Sequence, residues 1–275
     1  MAYNRKPRPY GLDKRTLVKI CFLSLVDALS ALEHEIHVVG DRLSGDLLSF
    51  FSRFPVKVSN QELDNGRSIR EAVRIALEAP DDEWVYFCED DYLHVPETFE
   101  RVDDLIENRD RYLAYKPKPR WRRLLVDELE KKPLCIFLAD YPDQYRPKYR
   151  WPSFLFYSRF CHWYQVLRTT GSFVAQSGYL KRKQRALAAF ARTCDDRSLS
   201  RQLYAGILFH DRALCVSPIP ALASHMHEGT MSVLGDWDHW VATYLERLAQ
   251  GGFDQPLAPG ASAERSSPES GTHGS

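Results

Sequence analysis

Apolar residues recur along this chain in short, nearly unbroken runs, and between the runs they fall at helical spacing. Leu17 to Leu25 (LVKICFLSL) is almost uniformly apolar, which predicts a central strand covered on both faces. Val26, Leu29 and Leu32 then predict a short helix, and Glu35 to Val39 a second strand closed by Gly40-Asp41. Leu43 to Phe54 has helical spacing, followed by a third short strand over Phe54 to Val58. Asp64-Asn65-Gly66 is a turn signal, and Ser68 to Glu71 has the form of a capping box. It opens a helix with Ile69, Ala72, Val73 and Ala76 on one face. After Pro80-Asp81-Asp82 the run Trp84 to Cys88 suits a buried strand. Strand alternating with helix predicts an α/β fold: one domain with a mostly parallel central sheet and helices on both faces.

Downstream, Pro96 and Glu97 start a helix with Phe99, Val102 and Ile106 inward. Leu113 to Tyr115, Trp121 to Glu130 and Leu134 to Leu138 suit a weak strand, a helix and a stronger strand. The segment from Asp140 to Trp163 is dense in aromatics, arginines and prolines and has little period. A long irregular stretch of this kind is functional or disordered, and disorder seldom carries so many aromatics. It is either a surface for a sugar ring, nucleobase or protein, or an aromatic loop packed over the sheet. Thr169 to Ala175 is extended, Tyr179 to Ala191 and Ser198 to Phe209 are helical, and Ala213 to Ser217 is a strand. Ser224-His225-Met226-His227-Glu228 lies in a loop, and Asp238 to Leu248 forms a closing helix.

The strand at Trp84 ends in three consecutive acids, Glu89, Asp90 and Asp91. Like charges about 4 Å apart at a protein surface repel by about 4 kcal/mol, so such a cluster needs a reason. Alternation along an extended segment puts Glu89 and Asp91 on one side and Asp90 on the other. Two oxygen donors together suit a hard divalent cation that also holds phosphates; the competing reading is an acidic turn before a helix. In open α/β sheets ligands sit beyond the carboxyl ends of strands. Ser24-Leu25, Gly40-Asp41 and the acid trio are all expected at such ends.

Composition narrows the classes. The chain has 275 residues, 44% of them hydrophobic, enough for a sizeable core. Its formal net charge is zero, which argues against a nucleic-acid partner. Residues 1–15 form a basic arm with no signal-like apolar run after it, and no stretch reaches the roughly 18 apolar residues of a spanning helix. The six cysteines are widely spaced without a CxxC pair, which suits reduced thiols and a cytoplasmic location. From Pro256 onward Gly, Ser, Pro and Ala dominate, so residues 251–275 are expected to form a disordered tail.

The order of strand, helix, Val38-Val39-Gly40-Asp41, turn, helix and Glu89-Asp90-Asp91 resembles the nucleotide-sugar-binding half of GT-A-fold glycosyltransferases. The TTGSF segment at 169–173, Asp195-Asp196 before a helix and the HMH loop at 225–227 extend the resemblance to about residue 248. Two features depart from the usual pattern: Glu89 stands first in the acid motif, and a lone Asp41 replaces paired acids. The resemblance implies a nucleotide-sugar-binding half over residues 16–116 and an acceptor-binding, metal-completing half over 117–250. It implies that Ser24, Leu25 and Asp41 line the nucleotide pocket, with Glu89 and Asp90 near the donor. Asp91, with His225 and His227, would hold Mn²⁺ or Mg²⁺, neutral imidazole favouring Mn²⁺ over a hard oxygen-seeking ion. Asp196, with Asp195 as its understudy, would be the general base toward an acceptor hydroxyl.

The implied activity is metal-dependent transfer of a sugar from a nucleotide diphosphate-sugar to a carbohydrate or other hydroxyl acceptor. A sugar nucleotidyltransferase would carry a Gly-rich basic loop after the first strand, where this chain has Leu25-Val26-Asp27-Ala28. A non-catalytic sugar- or protein-binding module on the same fold would bind no nucleotide through a metal.

Overall fold

The computed structural model describes residues 8–114, 129–145, 153–204, 212–251 and 253. Its first long element is a helix, α1 (Lys14–Leu29), across the segment expected to be the first strand. A run apolar on every side suits a buried helix as well as a buried strand, and here the cap decides. Asp13 accepts hydrogen bonds from the backbone N–H groups of Arg15 and Thr16 (2.9 and 3.1 Å), which starts a helix of 16 residues. Leu17, Ile20, Cys21, Leu23, Ser24 and Asp27 are all buried along it.

Next come β1 (Ile36–Asp41), α2 (Gly45–Phe51), β2 (Val56–Gln61) and α3 (Asn65–Glu78). The β1 and β2 strands pair in parallel, as expected, but in a two-stranded sheet of their own. Helix α3 starts one turn before the expected capping box. Asp64 caps it by accepting from Arg67 N at 2.7 Å, and Ser68 is already helical.

β3 (Trp84–Phe87) and β4 (Tyr92–His94) flank the acid trio and are followed by α4 (Thr98–Glu107) and α5 (Arg109–Leu113). Leu113, expected in a weak strand, therefore ends a short helix. β5 (Leu134–Ile136), β6 (Leu155–Tyr157), β7 (His162–Gln165) and β8 (Phe173–Gln176) lead to α6 (Ser177–Arg182) and α7 (Gln184–Thr193). Those two helices divide at Lys183 the single helix expected over Tyr179 to Ala191. α8 (Asp196–Leu203), β9 (Leu214–Ile219), β10 (Ala223–His225) and α9 (Trp237–Gln250) complete the described chain. Most of the helix expected over Trp121 to Glu130, residues 146–152 of the aromatic segment and the tail from 254 lie outside the described residues.

The main sheet overturns the expected mostly parallel architecture. Its order is β3-β8-β5-β9-β7-β6, and only the β5–β9 contact is parallel. The reason lies in the first half of the chain. One expected strand is a helix, two pair only with each other, and β3 joins the sheet at an edge, antiparallel to the distant β8. One core surrounds this sheet, with Trp163, Phe137 and Phe173 sealed inside; a second lies among α1, α2 and α9 around Phe22, Phe50, Trp240 and Tyr244. No helix among the described residues is long and apolar enough to cross a membrane.

Candidate metal centre

The acid trio and the histidine loop meet through a two-stranded ladder. β4 pairs antiparallel with β10, placing His225 directly opposite Tyr92, and Met226 N donates to the Asp91 carbonyl at 2.8 Å. Cross-strand partners share a face, and the Tyr92 and His225 rings stack 4.9 Å apart with their planes 7° from parallel. His227 lies two residues on. Its backbone N–H donates to the His225 carbonyl at 2.8 Å, and its ring meets the His225 ring edge-on at 4.5 Å.

Asp91 is buried against both imidazoles. His227 Nε2 stands 2.9 Å from Oδ2, and His225 Nε2 stands 3.3 Å from Oδ1. The latter approach lacks hydrogen-bond alignment, so Oδ1 is buried without a donor, as is His227 Nδ1 without a partner. One ligand atom from each of the three residues lies within 4.8 Å of the other two. A carboxylate with two imidazoles is a donor set for a borderline divalent metal, and an orphaned buried oxygen is what a ligand shows when its partner is a cation. The residues present therefore fit a divalent ion.

Lys14, from the first turn of α1, reaches Asp90 Oδ1 at 2.5 Å and lies 3.8 Å from Asp91 Oδ2. Asp90 is exposed and turned to this lysine; it and Asp91 lie in a turn between β3 and β4, not in the extended segment that the alternation assumed, and Lys14 approaches both. Glu89 is close by: its backbone N–H donates to Ser172 Oγ (3.0 Å), whose hydroxyl donates to Glu89 Oε2 (3.3 Å). Glu89 reaches solvent but is closely surrounded by protein. That crowding, then the charges of Asp91 and Asp196, pushes its carboxyl up to about 7.

The remaining candidates divide clearly. Asp196, in the first turn of α8, is near enough for its charge to be felt at Glu89. Asp195 caps α8 instead, accepting from Arg197 N at 3.0 Å. Asp41 ends β1 with its carboxylate turned to the loop before α3, where it accepts from Leu63 N at 2.9 Å. Ser24 lies inside α1, not at a strand end. Its hydroxyl donates to the Cys21 carbonyl (2.7 Å) and accepts from His94 N (3.0 Å), bracing β4 against the helix. Leu25 beside it packs into the core around the main sheet.

Four participants escaped the sequence reading: Lys14, Tyr92, Tyr141 and Thr230. Only Lys14 had a local signal, its place in the basic arm. Burial holds the Tyr92 and Tyr141 phenols protonated across the working pH range. A depression of about 390 Å³ between α4, α5 and β6, lined in part by Arg111, Tyr157 and Arg159, shares no residue with this centre. No family model matches the chain, and neither a curated protein nor a solved structure shows significant similarity to it.

Proposed function

We propose that the chain is a divalent-metal-dependent transferase that moves a sugar from a nucleotide diphosphate-sugar to an acceptor hydroxyl. The observation that carries this reading is the convergence of Asp91, His225 and His227, from distant parts of the chain, within reach of one ion. The donor class rests on the resemblance of the sequence motifs. A bound Mn²⁺ or Mg²⁺ would offset charge on a departing diphosphate. Lys14, already turned to the acids, supplies a second positive group beside it. A proton leaving the acceptor hydroxyl lodges on Glu89, with the charge of Asp196 close enough to favour its protonated form.

Calorimetry with a panel of nucleoside diphosphates, with and without Mn²⁺, tests the reading. One nucleotide is expected to bind only in the presence of Mn²⁺; a parent protein that binds neither metal nor nucleotide rules the reading out. The base assignment has its own signature. A general base must be deprotonated, so kcat/KM rises with pH through a limb near 7, and Glu89→Gln flattens that limb. Stability moves the other way. Because folding raises the Glu89 pKa, the folded state holds the extra proton between the ordinary carboxylate range and about 7. Stability therefore falls as pH rises through that window, and Glu89→Gln removes this part of the slope in urea titrations.

A further inference from the structure

We propose that Tyr141 is a positioning residue for this centre: anchored through Tyr92 and Thr170, its hydroxyl keeps the His225 proton on Nδ1 and so turns a bare Nε2 toward Asp91. The inference rests on the reading of Asp91, His225 and His227 as a metal centre.

The geometry is a chain of hydroxyls running away from the imidazole. Tyr141 Oη lies 3.0 Å from His225 Nδ1, Tyr92 Oη lies 2.6 Å from Tyr141 Oη, and Thr170 Oγ1 lies 2.7 Å from Tyr92 Oη. Each of these contacts alone is compatible with either direction of donation. Thr230 breaks the symmetry. Its hydroxyl donates to the His227 carbonyl at 3.2 Å, so what it presents to His225 Nδ1, 3.3 Å away, is a lone pair. Two oxygens then surround Nδ1, and one of them can only accept. A proton on Nδ1 satisfies that arrangement, whereas a proton on Nε2 leaves Thr230 facing a bare nitrogen.

With the proton on Nδ1, Nε2 presents its lone pair to Asp91 Oδ1 across 3.3 Å. That contact shows no hydrogen-bond alignment, and Oδ1 has no other donor. A bare Nε2 beside a carboxylate oxygen that has no donor leaves both atoms open to one cation, so the tautomer that suits the relay is also the one that suits an ion. The ring is held in this orientation. It stacks on Tyr92, lies 5.9 Å from the Tyr141 ring with the planes 27° apart, and meets His227 edge-on. Outer partners of a metal-bound imidazole commonly act this way, fixing tautomer and ring angle, and their loss costs about 10- to 100-fold in metal affinity.

The test compares the parent with Tyr141→Phe and Tyr92→Phe, which remove a hydroxyl and keep the ring. Nitrogen-15 NMR of His225 is recorded without added metal, at a pH where the imidazole is neutral. The parent is expected to carry its proton on Nδ1, and Tyr141→Phe to shift population toward Nε2. Mn²⁺ affinity, measured on Mn²⁺ alone by its electron-paramagnetic signal, falls about tenfold in Tyr141→Phe and less in Tyr92→Phe, where the bond to Nδ1 remains. A parent protonated on Nε2, or a Tyr141→Phe variant with unchanged Mn²⁺ affinity, overturns the proposal. A parent that binds no Mn²⁺ overturns the metal reading instead, while the tautomer still decides the relay.

Discussion

Asp91→Ala is expected to abolish detectable Mn²⁺ binding and to lower sugar-transfer turnover by on the order of a thousandfold, about 4 kcal/mol of transition-state stabilisation. The effect is large because Asp91 is the meeting point of the centre. The Nε2 atoms of both imidazoles lie within 3.3 Å of its two oxygens, and Lys14 lies behind. Without the carboxylate, two neutral imidazoles remain to hold a doubly charged ion, and the charge that steadies a leaving diphosphate is lost with it. Asp91→Asn keeps the shape and separates charge from bulk. It is expected to match the alanine variant in metal binding. Metal affinity like the parent's in either variant would remove Asp91 from the centre.

Arg247→Met is expected to destabilise the fold by about 3–5 kcal/mol, read as a lower midpoint in urea with little change in slope. Arg247 on α9 and Asp27 on α1 form a salt bridge with both side chains buried. Tyr244 lies beside the pair, and burial together with the Asp27 charge holds its phenol protonated. Taking away the guanidinium leaves the buried Asp27 carboxylate without its opposite charge, and removing one partner of a buried pair costs far more than the pair contributes when intact. The double variant Asp27→Leu/Arg247→Met tests that mechanism. It should recover much of the loss, because no charge is then buried alone; equal destabilisation in both variants would point to lost packing.

The legible parts of this fold are those in which local pattern and final environment agree. The strand at Trp84–Phe87 and its acidic tip stand where the apolar run predicts. His225 and His227 were named through the resemblance, as an HMH loop; His225 is in fact the last residue of β10, and the chain bends at His227 beside it. The α1 helix was hidden for a physical reason: from Leu17 to Leu25 it is apolar on nearly every side, so it shows little polar face and hence little helical period. Its one clear sign is Asp13, three residues before Thr16. Sheet order had no local sign at all, since β3 finds its partner in β8 and β5 finds one of its partners in β9. Tyr141 was invisible in the same way; it sits in an aromatic segment where nothing local distinguishes one tyrosine from another. Asp195 shows the opposite failure: the resemblance implied chemistry for it, and its visible work is the cap that its place before a helix suggests.

The pairing of β4 with β10 makes the ion trap a late arrival in the life of the chain. During synthesis Asp91 leaves the ribosome long before His225 and His227 exist, and until β10 lies down beside β4 there is nothing to grip a metal. An ion that binds only the finished arrangement acts as a fastener between early and late segments. At a hundredfold excess over its dissociation constant it adds about 2.7 kcal/mol to the folded state. On the proposed reading, supply of metal to the nascent protein bears on how firmly the two ends of its history are joined.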